Sequence, residues 1–376
     1  MRFDTLAVHG GERVPGPEGS VVFPIFQGTV YTVEPGSDYH DIKYHRLNST
    51  PSQTYLHDKL ATLEGAEAAV ATSSGMAAVT TILHTLLGAG DHILVGDCLY
   101  GGTHDFLTTN AARLGWEFTV IDTHDPSSWE VRPNTKAVLV ETITNPLMRV
   151  GRLREVVAFA REHGLTSVVD NTFASPVNFR PAVAGFDLVF NSATKYLNGH
   201  SDLVAGSVAG SAELVERVRH TLNLYGGSLD PHAGYLLSRS LKTLGVRVRQ
   251  QNENALALAE FLAQYPKVAA VNYPGLVREP YVGELLEGFG GMLSFRLHGG
   301  VEAAEVLLSA LRLPAVAPSL GGVETLITRP ATTSHAGMSP EDRAAVGITD
   351  DLIRLSVGIE DKQDLLDDFA EALDKV

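Results

Sequence analysis

The chain has 376 residues, 44% hydrophobic and 19% charged, with a formal net charge of −15 and one cysteine. That length and apolar content allow two domains with sizeable cores. The acidic balance, spread along the chain, argues against a nucleic-acid backbone or an anionic membrane as the main partner. A lone cysteine, Cys98, excludes an intrachain disulfide and a cysteine metal cluster. Nothing reaches the ~18 consecutive apolar residues of a membrane span, and residues 1–11 hold no apolar run of signal-peptide type. The expectation is a cytoplasmic globular protein.

Residues 1–60 are irregular and rich in Gly, Pro and Tyr, which predicts an arm rather than a domain. Residues 56–63 have helical spacing and stop at Gly65. An apolar run at 68–71 follows, and Ser73-Ser74-Gly75 opens a helical stretch over 76–87. Short apolar runs at 92–95, 117–121, 137–141, 167–170 and 188–191 predict strands, with helical stretches such as 153–163 between several of them. Short apolar strands alternating with helices predict an α/β domain with a mostly parallel sheet, covered on both faces. Such sheets place ligands at the carboxyl ends of their strands. After Pro231 one long helical stretch through Leu236, Leu241, Leu244 and Val248 leads towards Leu262 and a smaller domain. That domain has strand-like runs at 268–273, 292–297 and 352–357 and a final helix from about Asp364.

The strand ends hold residues with chemistry to offer. Ser73-Ser74-Gly75-Met76 lies where a strand gives way to a helix, and the amides and positive dipole end there favour an anion such as phosphate. A serine in that place is also an ordinary helix cap. Asp97-Cys98-Leu99-Tyr100-Gly101-Gly102 sets a tyrosine beside glycines, which suits stacking on a flat ring or a simple turn. Glu141-Thr142-Ile143-Thr144-Asn145-Pro146 ends another strand. Asp170-Asn171-Thr172 ends the next, and a carboxylate closing an apolar strand needs a partner. A protonated pyridine nitrogen or the amides of a turn would both serve. Ser192-Ala193-Thr194-Lys195 then places two hydroxyls beside a lysine, the side chain suited to imine chemistry. Alone each is weak; in order along one sheet they compose a phosphate cradle, a ring stacker, an acid for a pyridinium and an amine. No G-x-G-x-x-G, G-x-x-x-x-G-K-[ST], G-x-S-x-G or H-E-x-x-H motif supports a nucleotide, serine-hydrolase or zinc-protease reading.

The pattern resembles the cysteine and methionine metabolism family of pyridoxal 5′-phosphate enzymes, which includes cystathionine γ-lyase, β-lyase and γ-synthase. It runs through Tyr44-His45-Arg46, Ser74-Gly75-Met76-Ala77-Ala78, Tyr100-Gly101-Gly102-Thr103, Thr144-Asn145-Pro146, Val169-Asp170-Asn171-Thr172 and Ser192-Ala193-Thr194-Lys195-Tyr196-Leu197. It continues to Ser319-Leu320-Gly321-Gly322-Val323-Glu324 and Arg354-Leu355-Ser356-Val357-Gly358. The resemblance implies an aminotransferase-like (fold type I) large domain over 61–250, a smaller α+β domain over 251–376, and an N-terminal arm, 1–60, contacting a neighbouring subunit. It implies Lys195 as the Schiff-base lysine and proton shuttle, Asp170 on the pyridine nitrogen, and Tyr100 stacking on the ring and assisting proton transfer. Gly75, Met76, Ser192 and Thr194 would hold the phosphate, with Tyr44 and Arg46 reaching the phosphate of a neighbouring subunit. Asn145, Ser319 and Arg354 would take the substrate's carboxylate end, and Glu324 would join the substrate site. A homotetramer built from dimers with shared active sites is implied.

The activity implied is γ-elimination of L-cystathionine to cysteine, 2-oxobutyrate and ammonia. The alternatives are γ-replacement, as in cystathionine γ-synthase or an O-acylhomoserine sulfhydrylase, β-elimination, and a catalytically silent binding protein, which would be expected to lose Lys195 or Asp170. Several positions depart from the family pattern. The stretch Leu47-Asn48-Ser49-Thr50-Pro51-Ser52 is one residue longer than usual, and Asn191 stands where many members have His. Asp105 lies where γ-lyases and γ-synthases often carry a basic residue. Gly102 replaces the Cys typical of methionine γ-lyases, which weighs against that reaction, while Glu324 fits the γ-lyase and γ-synthase branch.

Overall fold

A computed structural model describes residues 1–376, the side chains of His40, Asp342 and Ala345 excepted. The larger sheet contains β1 (Ala68–Thr72), β2 (His92–Gly96), β3 (Glu117–Ile121), β4 (Thr135–Glu141), β5 (Thr166–Asp170), β6 (Leu188–Asn191) and β7 (Gly206–Gly210). Their order is β1-β7-β6-β5-β4-β2-β3. All neighbours run parallel except β7, which pairs antiparallel with both β1 and β6. The central strands carry apolar residues at nearly every position because both faces are covered: Val138 and Val140 of β4 point into one core layer, Ala137 and Leu139 into the other.

A second sheet contains β8 (Val268–Asn272), β9 (Met292–Leu297), β10 (Ala315–Val316), β11 (Leu326–Thr328) and β12 (Ile353–Ser356), in the order β10-β11-β12-β9-β8. The helices Gly300–Ala310 and Lys362–Asp374 cover it, and Phe295, Ile353 and Phe369 lie at the centre of its own apolar cluster. Among the described residues no helix is long and apolar enough to cross a membrane.

Several expectations need correction. The helix placed at 56–63 is Pro51–Glu64, closed by Gly65 at φ 69. The stretch after Pro231 is two helices, Pro231–Leu241 and Leu244–Gln264, parted at Lys242-Thr243. The bounds implied between 60 and 61 and between 250 and 251 lie along the helices Pro51–Glu64 and Leu244–Gln264. β7, β10, β11 and the helix Gly300–Ala310 were not anticipated; β7 reads Gly-Ser-Val-Ala-Gly, a weak strand signal.

Candidate active site

The carboxyl ends of β1, β2, β4, β5 and β6 meet at a cavity of about 600 Å³, and the loop before β11 together with β12 closes its other side. Gly75, Met76, Tyr100, Asn145, Asp170, Ser192, Thr194, Lys195, Ser319 and Arg354, all singled out from sequence, line it.

After β1 the chain turns at Ser74, whose Oγ accepts from Ala77 N–H at 3.0 Å and so caps the helix Gly75–Leu86. The amides of Gly75 and Met76, ahead of the helix's own ladder, are thereby left for an anion. Gly75 must be glycine, since a Cβ there would sit 2.7 Å from Cβ of Ser192. Ser74 thus meets the cap expectation, and its cap leaves the neighbouring amides open to the anion expected there.

The amine and the acids face this cradle. Lys195, just past β6, donates from Nζ to Ser319 Oγ at 2.7 Å. Burial, with the charge of Arg354 behind it, lowers its pKa to about 8. Asp170 Oδ1 accepts from Thr172 N–H at 2.9 Å and Thr172 Oγ1 at 2.5 Å. Thr172 Oγ1 in turn accepts from Ser192 N–H at 2.8 Å, tying acid to cradle. Burial raises Asp170 to about 6, only partly offset by these bonds. In-register with it, at the end of β4, is Glu141, pushed well above the usual carboxylate range by burial and by Asp170. The amides of Tyr100 and Asn145 draw it back down, and the Tyr100 N–H donates to Oε1.

Arg354, 3% exposed on β12, donates from Nη1 to Asn145 Oδ1 at 3.1 Å and from Nη2 to the Ser319 carbonyl at 3.2 Å. Among the described residues it has no ion-pair partner, so a buried guanidinium waits for an anion. Ser319 is held at φ 88, a region L side chains rarely adopt. That strain, of order 1–3 kcal/mol, turns its hydroxyl onto Lys195 and its carbonyl onto Arg354.

Three of the named site residues lie outside this cavity: Glu324, and Tyr44 and Arg46, whose expected place is a neighbouring subunit's site. Tyr44 and Arg46 lie on the surface, Arg46 donating to the Asn223 carbonyl at 2.9 Å with its guanidinium 5.7 Å from the Tyr44 ring centroid. Glu324 accepts from Ser201 Oγ outside the lining. Conversely, sequence reasoning assigned no role to Glu141, Thr172 or Ser334, which do line it. Glu141 and Thr172 stood in the quoted strand-end motifs; nothing local marks Ser334.

The residues fit pyridoxal phosphate on their own terms. Two buried carboxylates, Glu141 and Asp170, with no ion-pair partner among the described residues, a helix-start cradle narrowed to glycine and a buried amine suit a phosphorylated, positively charged heteroaromatic aldehyde. The chain belongs to the family of Cys/Met metabolism PLP-dependent enzymes, which it matches over residues 4–374. It is 42% identical to the cystathionine gamma-lyase of Bacillus subtilis, across 100% of both chains. It is 40% identical to the L-methionine gamma-lyase of Porphyromonas gingivalis, across 100% of this chain and 97% of that one. The structure of a cystathionine gamma synthase from Xanthomonas oryzae superposes with a TM-score of 0.93 at 37% identity, covering 100% of this chain and 98% of the other. This protein is accordingly a PLP-dependent enzyme of sulfur amino acid metabolism, performing carbon–sulfur lyase or replacement chemistry.

Proposed function

We propose that the enzyme cleaves L-cystathionine by γ-elimination, giving cysteine, 2-oxobutyrate and ammonia. The observation that carries this reading is Lys195: a buried amine, lowered to about 8, hydrogen-bonded to Ser319 and so beside the Arg354 anion site. The full-length likeness to a cystathionine gamma-lyase supports the same choice.

Gly75, Met76, Ser192 and Thr194 would hold the cofactor's phosphate, Asp170 its ring nitrogen and Lys195 its aldehyde, while Tyr100 would stack on the ring. Once bound there, pyridoxal phosphate supplies an electron-accepting ring to the substrate amine. Arg354 takes the substrate α-carboxylate through paired donors, and Asn145 and the Ser319 carbonyl keep that guanidinium in its plane. Lys195 Nζ, once released, removes the proton at Cα and returns it elsewhere as the reaction proceeds. γ-Elimination asks one base to work at Cα and then Cβ before the Cγ–S bond breaks, which suits a lysine on a long flexible stem. Tyr100 assists proton transfer at the cavity wall. Glu324, bonded to Ser201 outside the cavity lining, would meet the distal end of an extended substrate rather than its reacting carbons.

We also infer a homo-oligomer, a tetramer built from two dimers, in which Tyr44 and Arg46 complete a neighbouring cradle. They lie outside their own cavity, and Leu224 and Tyr225, beside the Asn223 that anchors Arg46, are 72% and 66% exposed. Apolar side chains so bare beside an anchored arginine suit an interface.

Incubating the cofactor-loaded enzyme with L-cystathionine and identifying the oxo acid tests the reaction. 2-Oxobutyrate is the expected product. Pyruvate would move the enzyme to β-elimination, and no oxo acid would favour γ-replacement.

A further inference from the structure

The helix Pro51–Glu64 ends against β6 in a fully buried polar contact. Glu64 is 3% exposed and Asn191 1%, and Asn191 Nδ2 donates to Glu64 Oε1 at 2.7 Å. The two remaining heteroatoms of this pair, Glu64 Oε2 and Asn191 Oδ1, are both buried without a hydrogen-bond partner. Each orphan alone would be costly. Both are oxygens, so an ionised Glu64 cannot satisfy either, whereas a single proton on Oε2 satisfies both at once.

We propose that Glu64 is kept as the neutral acid, donating from Oε2 to Asn191 Oδ1, and that this doubly bonded acid–amide pair positions the Ser192–Lys195 segment. The positioning half rests on the function proposed above, because Ser192 directly follows Asn191 and lines the cavity. A flat acid–amide pair fixes the end of β6 in two directions, where one hydrogen bond would leave it free to swing.

The surroundings agree. Burial lifts Glu64 from its ordinary 4.5 to about 8, against the weaker pull of the Asn191 bond and the charge of Arg180. Neither β1 nor β7, packed against this helix, carries a titratable residue. On the two neighbouring helices Asp4, His9, His232 and Arg239 are exposed and Tyr235 is half-buried. Arg180, ahead of the helix Pro181–Ala184, is thus the charge that acts on Glu64.

The sign of the linkage follows. Between 4.5 and about 8 the folded chain keeps a proton that the unfolded chain has released. This contribution to stability is therefore full below 4.5, falls as pH rises, and levels off above about 8. Glu64→Gln makes the same two bonds with its own amide and needs no proton.

Melting temperatures of the holoenzyme and of Glu64→Gln, compared across that range, test the pair, and all other titrations cancel in the difference. The expected result is coincidence at the acid end, a variant that melts progressively higher as pH rises, and a gap that stops widening above about 8. A gap independent of pH, or a variant that melts lower throughout or fails to fold, overturns it. An infrared difference spectrum of the two proteins at neutral pH should show the carbonyl stretch of a protonated carboxylic acid; its absence overturns the pair as well. For positioning, Glu64→Leu should shed the cofactor's visible absorbance on dilution faster than Glu64→Gln, and equal retention overturns that half. If the natural protein shows no such absorbance at all, the cofactor reading and the positioning half fall, while melting and infrared results still judge the pair.

Discussion

Glu141 and Asp170 end adjacent strands in register, and burial pushes both upward. Two such carboxylates side by side resist joint ionisation, and a ring cation held by Asp170 would relieve the conflict. Asp170 is neutral below about 6 and charged above it. Cofactor affinity for the apoprotein should therefore rise as pH is raised through that value, since only the carboxylate holds the ring's positive charge. Asp170→Asn keeps the shape and loses the charge. Titrating cofactor into the apoprotein should show roughly ten- to hundredfold weaker binding in the variant above that pH, the worth of a charge-assisted hydrogen bond. The two proteins should converge below it; equal affinity at alkaline pH would remove Asp170 from its assigned place. Asp170 is legible in the sequence because it closes an apolar strand run, and Lys195 because it follows another such run beside Ser192 and Thr194. Glu141 also ends such a run, but its meaning depends on facing Asp170 across β4 and β5, a register that no single strand announces. Ser319 and Arg354 come from the other sheet, and only resemblance pointed to them.

The helix Pro51–Glu64 shows how much of an element is written locally. Its apolar spacing from Leu56 onward is readable, yet it begins five residues earlier than that. The missed signal is Thr50-Pro51-Ser52-Gln53, a cap, a proline at the first helical position and a glutamine reaching back. Gln53 Oε1 accepts from Thr50 N–H at 3.2 Å and Thr50 Oγ1 at 2.9 Å, while Nε2 donates to the His45 carbonyl at 3.0 Å. One buried amide thus ties the arm segment carrying Tyr44 and Arg46 to the first helix of the large domain. Gln53→Ala should cost about 1–3 kcal/mol in urea unfolding, because it leaves buried backbone groups unpaired. A loss within ~0.5 kcal/mol, as at an ordinary surface position, would show that the helix start is held by something else. β7 was illegible for the opposite reason. Its glycines exist for close approach, a Cβ on Gly206 colliding with the Ser74 carbonyl, and residues chosen for lacking a side chain carry no strand pattern.

At the scale of the whole molecule, one chain presents most of a site and an arm with nothing of its own to complete. Lys195, Asp170 and Arg354 share the cavity, while Arg46 sits outside it on Asn223. If Arg46 serves a neighbouring cradle, the two defects Lys195→Ala and Arg46→Ala belong to different subunits at any one site. Lys195→Ala alone should fold normally and lose turnover, since no other buried amine lines the cavity; Arg46→Ala should lose activity through weaker phosphate binding. Co-expression of the two variants should then restore turnover that neither shows alone. In a symmetric dimer with shared sites, half of randomly assembled pairs are hybrids and each hybrid carries one intact site, so recovery should approach about a quarter of the natural value. Were Arg46 to act within its own chain, each hybrid would contain two damaged sites and no activity would return. The recovered fraction therefore reads the architecture directly, independently of which sulfur amino acid is turned over.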